Sequence, residues 1–80
     1  MKQYEIFVTG KQGIFDPPGE TAKRALNNLD YEGVVDVKIG KYIQLSVEDS
    51  VDEVQVRSMC EKLLANPVIE DFSIRLIEGE

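Results

Sequence analysis

Apolar and polar residues alternate along four short stretches of the chain, and a period of two is typical of β-strands. These stretches are residues 4–9, 35–39, 43–47 and 72–76. In each stretch the apolar residues fall on a single face, which we predict to be the core face of a sheet. The predicted core-facing residues are Tyr4, Ile6 and Val8, then Val35, Val37 and Ile39, then Ile43, Leu45 and Val47, and finally Phe72, Ile74 and Leu76.

Between the first two stretches, apolar residues recur at the spacing of one helical face. Asp16 is a suitable N-cap for this helix, and Pro17 suits the first helical position because proline has no N–H to leave unpaired. We therefore predict a helix that begins at Pro17 and ends at Asn28 or Leu29. Its apolar stripe consists of Ala22, Ala25, Leu26 and Leu29.

A second helical stripe lies between the third and fourth stretches and consists of Val56, Met59, Cys60, Leu63 and Leu64. Ser50, with Glu53 three residues later, matches a capping box and predicts where this helix begins. Asn66 and Pro67 end it, because the residue before a proline avoids the helical region.

The predicted order of elements is β-α-β-β-α-β, and Gly40 with Lys41 between the second and third strands predicts a hairpin. This order is typical of an α+β two-layer sandwich related to the ferredoxin-like fold, with both helices on one face of an antiparallel sheet. Residues 1–80 are predicted to form a single domain, since this length suits only one core.

The opposite face of the predicted sheet carries three large apolar side chains, which belong to Phe7, Tyr42 and Ile77. Small domains often gain stability from disulfides or association, and Cys60 is the only cysteine, so no disulfide can form within the chain. We therefore predict that these three residues form the interface of a homo-oligomer.

The charge and hydropathy of the chain argue against nucleic acid and membranes as partners. A formal net charge of −6 argues against nucleic acid and against an anionic membrane surface, because both attract basic proteins. No apolar run approaches the roughly 20 residues of a membrane-spanning helix. The strand pattern begins near Met1 without the features of a signal peptide, so we predict a cytoplasmic protein.

The residues that carry chemistry are few. The chain has no histidine, the commonest general base, and it has neither of the familiar glycine-rich phosphate-binding motifs. Residues 8–15 superficially resemble the phosphate loop of acylphosphatases, but Asp16 stands where that family has an arginine and would repel the substrate. We therefore predict no catalytic residues, no metal site and no bound cofactor.

A regulatory module of the ACT type is an alternative function, because such modules have the same order of strands and helices. Such modules bind amino acids between paired subunits, and the turn at residues 10–13 is the place for a ligand. A change of thermal stability with added amino acids is the observation that separates this alternative from an assembly role.

Four motifs, in order, resemble the PurS proteins, the small subunits of bacterial and archaeal formylglycinamide ribonucleotide amidotransferase, also called phosphoribosylformylglycinamidine synthase. They are Gly13-Ile14-Phe15-Asp16-Pro17-Pro18-Gly19, the pair Ala25-Leu26, the segment Gly40-Lys41-Tyr42-Ile43, and Leu63-Leu64-Ala65-Asn66-Pro67-Val68-Ile69-Glu70. Together they span nearly the whole chain. Pro18 departs from the family pattern, which often has a polar residue there, and Asp30 stands where a helix-ending glycine is common.

The resemblance implies a non-catalytic assembly subunit in purine biosynthesis. It implies two partners, a synthetase subunit (PurL) and a glutaminase subunit (PurQ), in a ligase complex that uses ATP, magnesium and glutamine. It also implies a dimer or tetramer of this chain, docking of the two partners, and help with ammonia transfer. The predicted partner-binding residues are Asp16, Pro17, Gly19, Gly40, Lys41, Asn66 and Pro67.

Overall fold

The computed structural model describes residues 1–77 as an α+β protein with one antiparallel sheet. Its elements are strand β1 (Lys2–Gly10), helix α1 (Pro17–Asn28), strand β2 (Lys41–Val47), helix α2 (Glu53–Met59), a π-helical turn (Cys60–Leu64) and strand β3 (Glu70–Ile77). The sheet has the strand order β2-β1-β3, and both pairings are antiparallel. The predicted fold class is confirmed.

The core lies between one face of this sheet and α2. Tyr4, Ile6 and Val8 of the central strand are buried, and α2 and the π-helical turn place Val56 and Cys60 over them. The register brings the predicted core faces of the three strands together, because Ile6 lies opposite both Ile43 and Ile74. Alternation therefore identified the inner face of β1, β2 and β3.

The π-helical turn keeps the last part of the second helix on the core. The Ala65 amide donates to the Cys60 carbonyl at 2.9 Å, which is the wider i→i+5 pattern. In a regular α-helix, residues five positions apart point in different directions. The wider turn lets both Cys60 and Ala65 be buried, and the helix then ends before Pro67.

Helix α1 begins and ends as its local sequence predicts. The Asp16 side chain accepts from the Gly19 amide, and Pro17 occupies the first helical position. At the other end Asp30 has φ of 70°, the Asp30 amide donates to Asn27, and the Tyr31 amide donates to Leu26. This is a Schellman motif in which an aspartate takes the place usually held by glycine.

The start of the second helix was predicted two residues too early. Its N-cap is Asp52, whose side chain accepts from the Gln55 amide at 3.0 Å, and the Gln55 side chain accepts in return from the Asp52 amide at 3.1 Å. Ser50 instead lies in a turn closed by the Val51 amide and the Glu48 carbonyl. Ser50 and Asp52 each have the sequence pattern of a capping box. Because Ser50 is part of the preceding turn, Asp52 is the residue that caps the helix.

The predicted hairpin at Gly40 and Lys41 is wrong. Residues 35–39 lie between α1 and β2 as expected, but they do not join the sheet of this chain, and Val35 is 82% exposed. The Ile39 amide donates to the Asp16 side chain rather than to a neighbouring strand. The end of this segment is therefore bonded to Asp16, the residue that caps α1.

Among residues 1–77, α2 and the π-helical turn supply the helical side chains of the core and α1 supplies none, whereas both helices were expected on one face of the sheet. Helix α1 and the segment that follows it, residues 17–39, contribute no residue to the core cluster, and we call them the arm. The chain accordingly measures 50 × 29 × 14 Å with a radius of gyration of 16.0 Å. A compact chain of this length has a radius of gyration of about 12 Å. Among residues 1–77, Leu76 at the end of the inner sheet face and Leu29 at the end of the α1 stripe are exposed.

Candidate docking site

Three turns that lie far apart in the sequence meet at one end of the sheet. The Lys11 amide, just after β1, donates to the Ile69 carbonyl at 2.9 Å. The Lys41 ammonium, at the start of β2, lies 3.4 Å from the Leu64 carbonyl. We call residues 10–17, 39–41 and 64–70 together the turn cluster. It contains six of the seven predicted partner-binding residues, and the seventh, Gly19, lies in the first turn of α1 beside it.

The turn at Asn66 is held by its own side chains. The Asn66 side-chain oxygen accepts from the Val68 amide at 3.1 Å, and the Glu70 carboxylate accepts from the Asn66 amide at 2.8 Å. The Asn66 carbonyl also accepts from the Ile69 and Glu70 amides. These bonds make the turn rigid and leave Pro67 and Val68 exposed at its tip.

The loop before α1 exposes two large apolar residues that the sequence analysis did not select. Phe15 is 72% exposed and Ile14 is 43% exposed, although both lie beside the well-bonded Asp16. Large apolar side chains in a loop outside any strand or helix pattern have no core to enter. Their place outside every predicted strand and helix was the signal in the sequence that could have identified Ile14 and Phe15 as surface residues.

Ile14 and Phe15 form a wall shared by two clefts. One cleft has a volume of about 130 Å³ and is lined mainly by backbone and apolar groups of the turn cluster. The other has a volume of about 300 Å³ and lies between this loop and the arm. Residues shared by both clefts are Ile14, Phe15 and Asp16. The turn cluster thus offers grooves as well as an apolar projection.

The predicted oligomer interface lies on the outer face of the sheet, but its three residues do not form one patch. The Phe7 and Tyr42 rings lie 5.2 Å apart. Ile77 pairs with Gln3, four residues along β1 from Phe7, which corresponds to about 13 Å. The apolar pair and Ile77 are therefore at opposite ends of this face.

A charged network separates them. The Glu5 carboxylate accepts from the Tyr42 hydroxyl and, at 2.9 Å, from the Arg75 guanidinium. Hydrogen bonds from Tyr42 and then from Arg75 hold the pKa of the Glu5 carboxyl below its usual range. The bond to Glu5 raises the pKa of Tyr42. Glu5 is thus ionised and Tyr42 neutral at neutral pH, and the network orders the face.

The described residues offer no arrangement for catalysis. Cys60 is fully buried, and burial raises the pKa of its thiol, which makes it a poor nucleophile. Residues 1–77 hold no group of three or more metal-ligating side chains. Over the same residues, no helix combines the length and apolar character needed to cross a bilayer.

Comparison with known proteins relates the whole chain to one family. Residues 3–78 match the family model described as PurS: Phosphoribosylformylglycinamidine (FGAM) synthase. The chain is 42% identical over 80 residues to the phosphoribosylformylglycinamidine synthase subunit PurS of Bacillus subtilis (strain 168), which covers 98% of this chain and 95% of the relative. It is 38% identical over 79 residues to the same subunit of Methanocaldococcus jannaschii, which covers 95% of each.

Solved structures resemble the fold closely. The B. subtilis PurS structure superposes with a TM-score of 0.89 at 42% identity, over 98% of this chain and 100% of that one. A chain in the structure of PurLQS from Thermotoga maritima superposes with a TM-score of 0.82 at 34% identity, over 95% of this chain and 96% of that one.

Proposed function

Since this chain belongs to the PurS family of phosphoribosylformylglycinamidine synthase, we propose that it is a non-catalytic assembly subunit of that enzyme in purine biosynthesis. The family match confirms the resemblance that the four sequence motifs carried. In this proposal the chain docks the synthetase and glutaminase subunits in the cytoplasm and helps ammonia pass between them. ATP, magnesium and glutamine are used by those partners.

The observation that carries the docking proposal is the turn cluster. Its turns are held by internal hydrogen bonds, so a partner that binds there loses little ordering entropy. Its exposed Ile14 and Phe15 supply apolar area, and burying one such side chain contributes about 1.5–3 kcal/mol. Aromatic anchors of this kind often dominate the binding energy of an interface.

A relative supports the identity of the proposed partners. A chain similar to this one is present in the structure of PurLQS from Thermotoga maritima. We propose that this chain likewise assembles with a synthetase subunit (PurL) and a glutaminase subunit (PurQ). The partner-binding roles of Asp16, Pro17, Gly19, Gly40, Lys41, Asn66 and Pro67 stay predictions.

We further propose a homo-oligomer, a dimer or tetramer, that covers the arm. The stripe of α1 contributes no residue to the core cluster of residues 1–77, and Leu29 is two-thirds exposed. The inner sheet face is covered by α2 and the π-helical turn, and Leu76 at its end is exposed. Two incomplete apolar surfaces on one chain are complementary in a symmetric pair, because each copy offers what the other lacks.

Replacing Lys41 by glutamate should weaken complex formation while the fold stays intact. The Lys41 ammonium lies on the surface of the turn cluster and reaches the Leu64 carbonyl. Reversing its charge changes the potential where the partners dock, at a side chain that contributes little to the core. The measurement is co-sedimentation with the synthetase and glutaminase subunits, together with circular dichroism of the variant.

Lys2→Glu is the matched control for this substitution. It makes the same charge change at the other end of the sheet, because Lys2 pairs with Val47 whereas Lys41 pairs with Val8. The two sites are six residues apart along β1, about 20 Å. Equal binding of both variants and the unchanged chain would remove Lys41 from the predicted docking residues.

A further inference from the structure

One carboxylate closes the base of the arm. The Asp16 Oδ1 atom accepts from the Gly19 amide at 3.1 Å, and the Asp16 Oδ2 atom accepts from the Ile39 amide at 2.8 Å. The first bond caps α1, and the second bond reaches 23 residues along the chain to the end of the arm. Asp16 therefore joins the two ends of residues 17–39 where they meet the sheet.

Close backbone packing at Gly19 also holds the two ends of the arm together. A Cβ atom at Gly19 would lie 2.2 Å from the Val37 carbonyl oxygen and 2.6 Å from Asp16 Oδ2. Gly19 is also the only residue of α1 that is buried. The first turn of α1 and the returning segment are thus in direct contact, and only a residue without a side chain allows it.

Among residues 1–77, the arm contributes no side chain to the core cluster, and Ile39 and Val35 are exposed. The contact at Asp16 and Gly19 is therefore a restraint at the base of the arm on the direction in which the arm leaves the sheet. Hydrogen bonds from the Ile39 amide and then from the Gly19 amide hold the pKa of the Asp16 carboxyl below its usual range, so the closing group is charged at neutral pH.

We propose that Asp16 is a positioning residue for self-association: it fixes the arm at one angle to the sheet, so that a second copy of this chain meets an arm already set for binding. A segment ordered before binding loses less entropy when it binds, and so binds more tightly. The inference rests on the proposed homo-oligomer and adds what controls its strength. It also assigns Asp16 a role within the chain, in addition to its predicted contact with the other subunits.

Asp16→Asn separates the two functions of this carboxylate. Asparagine is as good an N-cap as aspartate, so its side-chain oxygen keeps the bond to the Gly19 amide. Its amide group cannot accept from the Ile39 amide, because both are donors. The variant should keep α1 and lose only the closure of the arm.

The matched control is Asp52→Asn at the start of α2. Asp52 also caps a helix, through its bond to the Gln55 amide, and its partners lie within the same cap. Any general effect of an aspartate-to-asparagine change at an N-cap will therefore appear in both variants. Only the loss of the bond to Ile39 distinguishes Asp16→Asn.

The test combines amide hydrogen exchange with sedimentation equilibrium of the full chain. For Asp16→Asn we expect the Ile39 amide to exchange about tenfold faster and the dissociation constant of the oligomer to rise about tenfold, as the loss of one charged hydrogen bond implies. Asp52→Asn should change neither quantity. Gly19→Ala keeps the Asp16 carboxylate but obstructs the contact with Val37, so it should also raise the dissociation constant of the oligomer.

Three results would overturn the proposal, and they are distinguishable. Association of Asp16→Asn equal to that of the unchanged chain, with faster exchange at Ile39, would show that arm closure does not control association. Unchanged exchange at Ile39 would show that Asp16 does not hold the arm. An unchanged chain that is monomeric at all concentrations would instead reject the homo-oligomer itself, and this positioning role with it.

Discussion

Gly40→Ala should destabilise the fold by about 2–3 kcal/mol, the upper part of the range for overpacking. A Cβ atom at Gly40 would lie 2.1 Å from the Val8 carbonyl oxygen and 3.0 Å from the Thr9 side chain. The first of these is backbone of the central strand, so it cannot rotate away. The added methyl group must push β2 from β1 where Val8 pairs with Lys41. Chemical denaturation measures the loss, and an 80-residue domain has only about 4–12 kcal/mol in total.

Gly10→Ala is the control for this prediction, because Gly10 lies at the same end of the sheet. A Cβ atom there would have its nearest neighbour, the Ile69 carbonyl oxygen, at 4.0 Å. The change should therefore alter the free energy of unfolding by no more than about 0.5 kcal/mol. Equal stabilities of the two variants would contradict the close approach of β2 to β1, and with it the steric reason for a glycine at position 40.

Leu26→Asp should raise the dissociation constant of the homo-oligomer at least about 100-fold, since it removes a buried leucine and introduces an unpaired charge. Leu26 lies in the middle of the stripe of α1, which contributes no side chain to the core cluster of residues 1–77. Its side chain is half-buried within one copy, and the proposed contact with a second copy buries the rest of it. Sedimentation at micromolar concentration gives the oligomeric state, and circular dichroism checks that α1 is retained.

Asn27→Asp is the matched control on the same helix. It adds the same negative charge one position away, at an exposed side chain outside the apolar stripe. The control should associate as the unchanged chain does. If Leu26→Asp also associates normally, the arm is not the interface. Association would then depend on the outer sheet face, where Phe7, Tyr42 and Ile77 were predicted to act.

Local features were predicted well from the sequence because their causes are local. The faces of β1 follow from the alternation around Ile6, and the start of α1 follows from Asp16 and Pro17. Each depends on residues within one or two turns of chain. The second helix shows the limit of this reasoning, because Ser50 and Asp52 are both plausible caps and only the preceding turn decides between them.

The arm could not be predicted, because periodicity indicates which residues share a face but not what that face contacts. Residues 35–39 alternate as a strand does, yet Ile39 bonds to Asp16 instead of to a neighbouring strand. The stripe of α1 is equally compatible with its own sheet and with another copy. Such choices depend on contacts between distant parts of the chain or between chains.

The turn cluster was predicted residue by residue but not as a site. Asp16, Lys41 and Asn66 were each selected from a separate turn, and only the fold brings those turns together. The exposed Phe15 was missed because only Asp16 and Pro17 of this loop were considered, as the start of α1. A loop residue with no place in a strand or helix pattern is the kind of signal that merits weight in a small acidic domain.

The central claim is that the chain is required for an assembled amidotransferase, and reconstitution tests it most directly. Purified synthetase and glutaminase subunits would be mixed with and without the chain, and glutamine-dependent ATP hydrolysis would be followed. Activity with ammonia supplied directly controls for a synthetase that is simply inactive. We predict glutamine-dependent turnover only when the chain is present. Equal turnover without it would contradict the assembly role and would make an amino-acid-binding module the function to test next.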